Sequence, residues 1–259
     1  RWIAGITAAL ALAAALVVIL GAPYRLRKLP GTACELLTLA YRSPYGKVEV
    51  TAVRFDPAKF RLGIVDRRPR AGGKEAADRQ PPAGGGALAT EACRPGGTAI
   101  NASFFTKNRA PIGLIIDNGK KCNPLYTGNS IYGAWGVLLV RQGRPAIVDD
   151  SVPVPLDTEL AIQCGPRLLI AGTVPSFVNT GVATRSAVGI DERGRLLFIV
   201  AAGPAGFDDF ARVLRNRLKC TDALNLDGGP SAQLTVRGTS EVTLPGGYPV
   251  PILLTAEPK

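Results

Sequence analysis

Apolar positions along this chain either alternate with polar ones or gather in short unbroken runs, and both patterns predict strands. Residues 47–53 and 60–65 read as two strands joined by a turn at Asp56-Pro57. Strand character returns at 98–100, 112–116, 136–140, 168–170, 187–190, 196–201 and 223–226. Helical spacing is confined to residues 207–218, where Phe207, Phe210, Val213, Leu214 and Leu218 share a face opposite basic residues. Many short strands with few helices predict an α+β arrangement, a β-rich single domain of mixed or antiparallel sheets with a barrel-like or sandwich core. A doubly wound parallel sheet is disfavoured. The Gly-, Pro- and charge-rich stretch 67–86 reads as a surface loop, and no repeat recurs at a fixed period.

The N-terminus has a different pattern. Residues 2–22 carry no charge and are long enough to cross a bilayer as a helix, which predicts export by a signal peptide or an uncleaved signal anchor (1–22). A basic linker (23–31) with Arg25, Arg27 and Lys28 follows, then a folded domain over 32–257. The expected location is periplasmic or otherwise extracytoplasmic, with attachment to the inner membrane through that helix. In an exported chain, Cys34, Cys93, Cys122, Cys164 and Cys220 predict one or two disulfides and a leftover thiol, with simple burial as the alternative. A bridge to Cys220 would brace the segment that follows it.

Composition narrows the chemistry. The 46% hydrophobic content is that of a chain able to bury a core, and the excess of 31 Lys and Arg over 20 Asp and Glu is scattered. Basic runs such as Arg67-Arg68-Pro69-Arg70 have no aromatics interleaved, so a nucleic-acid partner is not expected. The sequence leaves the oligomeric state open. With no His, Ser-His-Asp and Cys-His catalysis are impossible and so is a His-ligated metal. A phosphate loop of the Walker type is missing as well. Carboxylates, amides, hydroxyls and Arg must carry any chemistry.

One segment concentrates such groups. In Asn225-Leu226-Asp227-Gly228-Gly229-Pro230-Ser231, an apolar strand delivers a carboxylate onto a Gly-Gly turn, and Ser231 and Gln233 supply polar groups at alternate positions. Alone it would read as a hairpin. Three other strand ends share its character: Asn101-Ala102-Ser103-Phe104-Phe105, Gln163-Cys164-Gly165-Pro166-Arg167, and Arg185-Ser186-Ala187-Val188-Gly189 before Asp191. Four polar strand ends in one His-free chain predict a shared pocket.

Read in order, with Pro111-Ile112-Gly113-Leu114 and Asn118-Gly119, these segments resemble the phosphodiester glycosidase family over most of residues 34–254. Ala102-Ser103 stands where the family usually has a small glycine pair, and Pro230 where many relatives have Gly. The resemblance implies hydrolysis of a sugar 1-phosphodiester on an exported or envelope glycan, releasing the sugar and leaving a phosphomonoester. Asp227 is then the carboxylate that activates water or stabilises positive charge at the anomeric carbon, with Asp191 and Asp222 as candidate second carboxylates. Arg185 would hold the phosphate, Arg167 being the second choice, and Asn101 completes the catalytic set. Gln163, Ser186, Asn225, Ser231 and Phe105 are expected to contact substrate, with backbone N–H groups of Gly228 and Gly229. No cofactor or metal is called for; a divalent cation in the Asp and Asn cluster defines a metal-assisted phosphodiesterase as one alternative. The other is an envelope-anchored glycan or phosphoglycan binding protein without turnover.

Overall fold

The computed structural model describes residues 24–68, 86–128, 133–178 and 181–259. The described residues build three sheets whose strand pairs are all antiparallel. The largest has seven strands, in the spatial order β1 (Arg25–Lys28), β2 (Glu35–Ser43), β3 (Gly46–Phe55), β13 (Leu196–Ala205), β12 (Ala183–Asp191), β14 (Cys220–Asn225) and β11 (Arg167–Leu169). A five-stranded sheet runs β7 (Lys120–Asn123), β6 (Ile115–Asp117), β10 (Leu160–Cys164), β8 (Gly136–Arg141) and β9 (Arg144–Asp149). The other five-stranded sheet runs β16 (Glu241–Leu244), β15 (Leu234–Arg237), β5 (Thr98–Asn101), β17 (Ile252–Pro258) and β4 (Phe60–Asp66). Two helices are described, the one-turn α1 (Ala89–Ala92) and the longer α2 (Phe207–Asn216).

Period-two alternation explains the layers. On β13, Phe198 and Val200 face a core shared by all three sheets, where they meet Ile100 and Leu254 of one five-stranded sheet and Leu138 and Ile162 of the other. Leu197, Ile199 and Ala201 point the opposite way, against Phe207, Phe210, Ala211 and Leu214 of α2. Both faces of β12 and β13 are covered, which is why these strands read as continuous apolar runs. Asp208 and Asp209 in the first turn of α2 and Arg215 in the last suit its macrodipole. The helix ends at Asn216, short of the expected 218, because Lys219 adopts φ 59° to turn into β14.

Several expectations change. The basic segment 25–28, read as linker, is the edge strand β1 paired with β2. Of 112–116 only Ile115 onward is strand, because Gly113 takes φ 100° and Ile112 N–H bonds to Phe104 O. The expected disulfides do not form; all five cysteines are free. Cys34 and Cys164 lie in the shared core, Cys220 in the helix-covered layer and Cys93 beneath α1, so the thiols act as small apolar groups. The apolar run 2–22 and most of the 67–86 loop lie outside the described residues; among those described, no helix is long and apolar enough to cross a membrane.

Candidate active site

The carboxylate sits where the chain crosses from one sheet to another. After β14, Leu226 N–H donates to Ser186 O of β12 at 2.8 Å, and Asp227 N–H donates to Ala102 O, just past β5, at 3.0 Å. Asn101, fully buried at the end of β5, locks the crossing. Its Nδ2 donates to Asp227 O (2.6 Å), while its Oδ1 accepts from Ser186 Oγ (2.8 Å) and Gln233 N (3.1 Å). A neutral amide suits the place because one planar group must both donate and accept.

The carboxyl group is held from its own turn. Asp227 Oδ1 accepts from Gly228 N at 3.0 Å, and the Ser231 hydroxyl lies on the same turn. Burial raises Asp227 to about 6, and the Ser231 hydroxyl and the Gly228 N–H oppose the rise. Gly229, at φ 58°, opens the 3-10 turn Gly229–Ser231 that brings Ser231 back under the carboxyl. Gly228 has a steric reason: a Cβ there would lie 2.8 Å from Thr184 O. Ser231 Oγ reaches Tyr248 OH (3.2 Å), and Gln233 Nε2 bonds both Ser231 O and Tyr248 O (3.3 Å each). Pro230, discordant in the sequence, accepts from Gly247 N at 2.7 Å and so seats the loop that carries Tyr248.

Tyr248 leads to a small cluster at the rim. Its ring meets Phe105 edge to face at 6.4 Å, and the Arg109 guanidinium lies 5.7 Å from the Phe105 centroid and 5.9 Å from that of Tyr248. Ser186, Ser231, Asn101, Phe105 and Asp227 are therefore brought together, as the strand ends predict. Tyr248 and Arg109 were missed. The only local signal for Tyr248 is its Pro245-Gly246-Gly247-Tyr248-Pro249 loop, too constrained for a free connection.

Other expected ligands are committed elsewhere. Gln163 spends its whole amide on a clamp: Oε1 accepts from Leu114 N and Tyr126 N, and Nε2 donates to Tyr126 O and Asp150 Oδ2. Asn225 Nδ2 donates to Gly165 O and Leu226 O, tying the Gly165-Pro166 segment to β14, while its Oδ1 has no partner among the described residues. Arg167 pairs with Asp149 at 3.4 Å. Asp191 is buried against Arg195 (2.8 Å), and Asp222 accepts from Ala171 N; pairing places both at the end of β14 remote from Asp227, so neither is its second carboxylate.

Arg185 points away from the carboxyl. Strand alternation puts Ser186 toward Asn101 and Arg185 on the helix side, where its guanidinium stacks 3.9 Å from the Phe207 ring centroid. Nε donates to Ala205 O at 3.1 Å, and NH2 donates to Gly181 O. No group of three or more Cys, Asp or Glu among the described residues could hold a metal ion. Clefts of about 660 and 530 Å³ open elsewhere, around Leu62 and Asn118. They contain none of the residues of the Asp227 cluster, so chemistry rather than volume assigns the site.

Comparison with known proteins gives the fold and the family. The uncharacterized protein YigE of Escherichia coli K12 is 30% identical over 138 residues, a match covering 50% of this chain and 54% of YigE. The chain thus spans about half the length of that curated relative. The catalytic domain of zebrafish N-acetylglucosamine-1-phosphodiester alpha-N-acetylglucosaminidase, auto-inhibited by its pro-peptide, superposes with a TM-score of 0.63 at 16% identity, covering 92% of this chain and 89% of that one. A hypothetical protein from Synechocystis gives a TM-score of 0.57 at 16% identity over 91% of this chain and 64% of its own. At such identities these two structures speak for the fold alone. The profile of the phosphodiester glycosidases matches residues 97–251, which include Asn101, Arg109, Asp227, Ser231 and Tyr248. The chain belongs to the phosphodiester glycosidase family.

Proposed function

We propose that this protein is a hydrolase of sugar 1-phosphodiesters, releasing the sugar and leaving a phosphomonoester, with Asp227 as the reacting carboxyl. The observation that carries the reading is a partly exposed carboxyl, raised by burial to about 6, on a backbone tied to the end of β5 through Asn101 and Ala102 and, one residue earlier at Leu226, to Ser186 of β12. At neutral pH it is mostly ionised and sits where it can face positive charge developing at an anomeric carbon, or take a proton from attacking water. A phosphomonoester leaves readily, so a second carboxylate is not required.

The geometry redistributes the supporting roles. Gly228 N–H serves the carboxyl, and Asn101 and Ser186 are spent on internal hydrogen bonds that position the site, while Gln163 is spent on a clamp elsewhere. Ser231 tunes the carboxyl directly. Arg185 flanks Gly228 with its aliphatic stem and braces the turn against α2. The name of the zebrafish neighbour makes N-acetylglucosamine 1-phosphodiesters the first substrates to try. The uncharged run 2–22 supports action outside the cytoplasm, on an exported or envelope glycan.

The test is a panel of sugar 1-phosphodiesters incubated with the purified protein and with Asp227→Asn, following free sugar. Release by the wild type alone supports the proposal. Thermal protection by a diester without any product would instead make the protein a binder.

A further inference from the structure

A phosphodiester reacting at Asp227 brings a negative charge, and the cation that meets it is the open question at this site. Arg167 is paired with Asp149, and its side chain is 11% exposed. The Arg185 guanidinium is turned to the helix-covered face. Arg109 is placed differently. It stands at φ 65°, an uncommon conformation for Arg, in a turn closed by Thr106 N–H to Ala110 O, Arg109 N–H to Thr106 O, and Ala110 N–H to Thr106 Oγ1.

That turn lays the guanidinium against the Phe105 and Tyr248 rings, with NH1 donating to Pro249 O at 2.7 Å. Among the described residues it has no carboxylate partner. The rings restrict its motion without neutralising it, and its remaining N–H groups form a planar fork suited to two phosphate oxygens. One tyrosine ring and one serine hydroxyl separate it from the Asp227 carboxyl, through Tyr248 OH and Ser231 Oγ at 3.2 Å.

We infer that Arg109, framed by Phe105 and Tyr248, is the specificity-determining cation that receives the substrate's phosphate beside Asp227. The inference rests on the proposal that the site takes a sugar 1-phosphodiester. The sugar then lies toward the carboxyl, and the group beyond the phosphate lies along the Phe105 and Tyr248 rings. Asp227 and Arg109 thereby divide the substrate between its electrophilic carbon and its charge.

The experiment is calorimetric titration of methyl N-acetyl-α-D-glucosaminyl phosphate diester, and of the uncharged methyl N-acetyl-α-D-glucosaminide, into the Asp227→Asn protein. Adding Arg109→Ala or Arg109→Gln should weaken the charged ligand about 10- to 100-fold, with Arg109→Lys losing less and the uncharged glycoside changing under about 2-fold. Arg109→Gln retains a long polar side chain and checks that folding is intact. Arg185→Ala should weaken the charged ligand less than Arg109→Ala does. Equal loss for both ligands, no loss, a larger loss at Arg185, or no binding of the charged ligand by the parent protein would each overturn the inference. Arg109-dependent binding of the diester without sugar release by the wild type would sink the hydrolysis proposal and leave this assignment standing.

Discussion

The side-chain amide of Asn101 donates to the backbone carbonyl of Asp227 at 2.6 Å, joining residues far apart in sequence at the meeting of two sheets. The same amide accepts from Ser186 and Gln233, so the carboxyl's position follows from strand packing and not from its turn alone.

Removing that amide should cost stability first. Asn101→Ala leaves Ser186 Oγ, Gln233 N and Asp227 O without their partner in a buried place, for a loss of about 3 kcal/mol or more. A drop in the urea midpoint, with activity falling in the fraction still folded, is the expected result; an unchanged midpoint would remove Asn101 from the role of tie.

Asp227→Asn should separate stability from activity. Because burial raises the carboxyl to about 6, the folded state holds its proton more tightly than the unfolded chain. Stability from this group is full below about pH 4, falls as pH rises to about 6, and is flat above. The amide should therefore stabilise the protein by about 2 to 3 kcal/mol at pH 7 and by little at pH 4, read from thermal melts at both pH values. The wild-type rate should rise with pH through about 6 as the carboxylate forms, and the variant should lose about 10²- to 10⁴-fold in kcat/KM.

The two glycines after Asp227 should differ. A Cβ at Gly228 would lie 2.8 Å from Thr184 O, a backbone atom of a central strand, so Gly228→Ala must displace the turn and with it the carboxyl. A fall in kcat/KM of about 10²-fold is expected. Gly229→Ala meets nothing within 4 Å but keeps φ 58°, so it should cost about 1 to 2 kcal/mol of stability and little rate. Parallel kinetics and melts of both variants check the contrast; equal rate losses would contradict it.

The cysteines should behave as buried thiols. Burial raises Cys93 to about 11 and Cys34 and Cys164 to about 12, and pushes Cys220 up as well, which suppresses the reactive thiolate. A thiol-reactive dye should label Cys122, the half-buried one, first in native protein, and all five after denaturation without reductant. A shortfall in the denatured count would show a disulfide.

Much of the fold was legible where burial on both faces left an unmistakable mark. The runs 187–190 and 196–201 sit on central strands, and the 3.6-residue stripe of Phe207, Phe210 and Leu214 covers one of them. Edge strands were illegible for the converse reason. Arg25–Lys28 is exposed throughout and becomes a strand only because β2 offers its backbone. The polar strand ends at Asn101, Ser186 and Asp227 meet, since a polar side chain closing an apolar strand must find a partner. Whether that partner is the protein or a ligand could not be read locally, and for Gln163 all four hydrogen bonds turned out to be internal.

The sequence by itself determined that a His-free, β-rich chain carries a carboxyl on a Gly-Gly turn, because residue types and period-two burial are local properties. Only the tertiary structure decided that Arg185 stacks on Phe207 while Arg109 and Tyr248 stand near Asp227. Strand alternation assigns each side chain to a face, and which loops lie over that face depends on how the sheets pack.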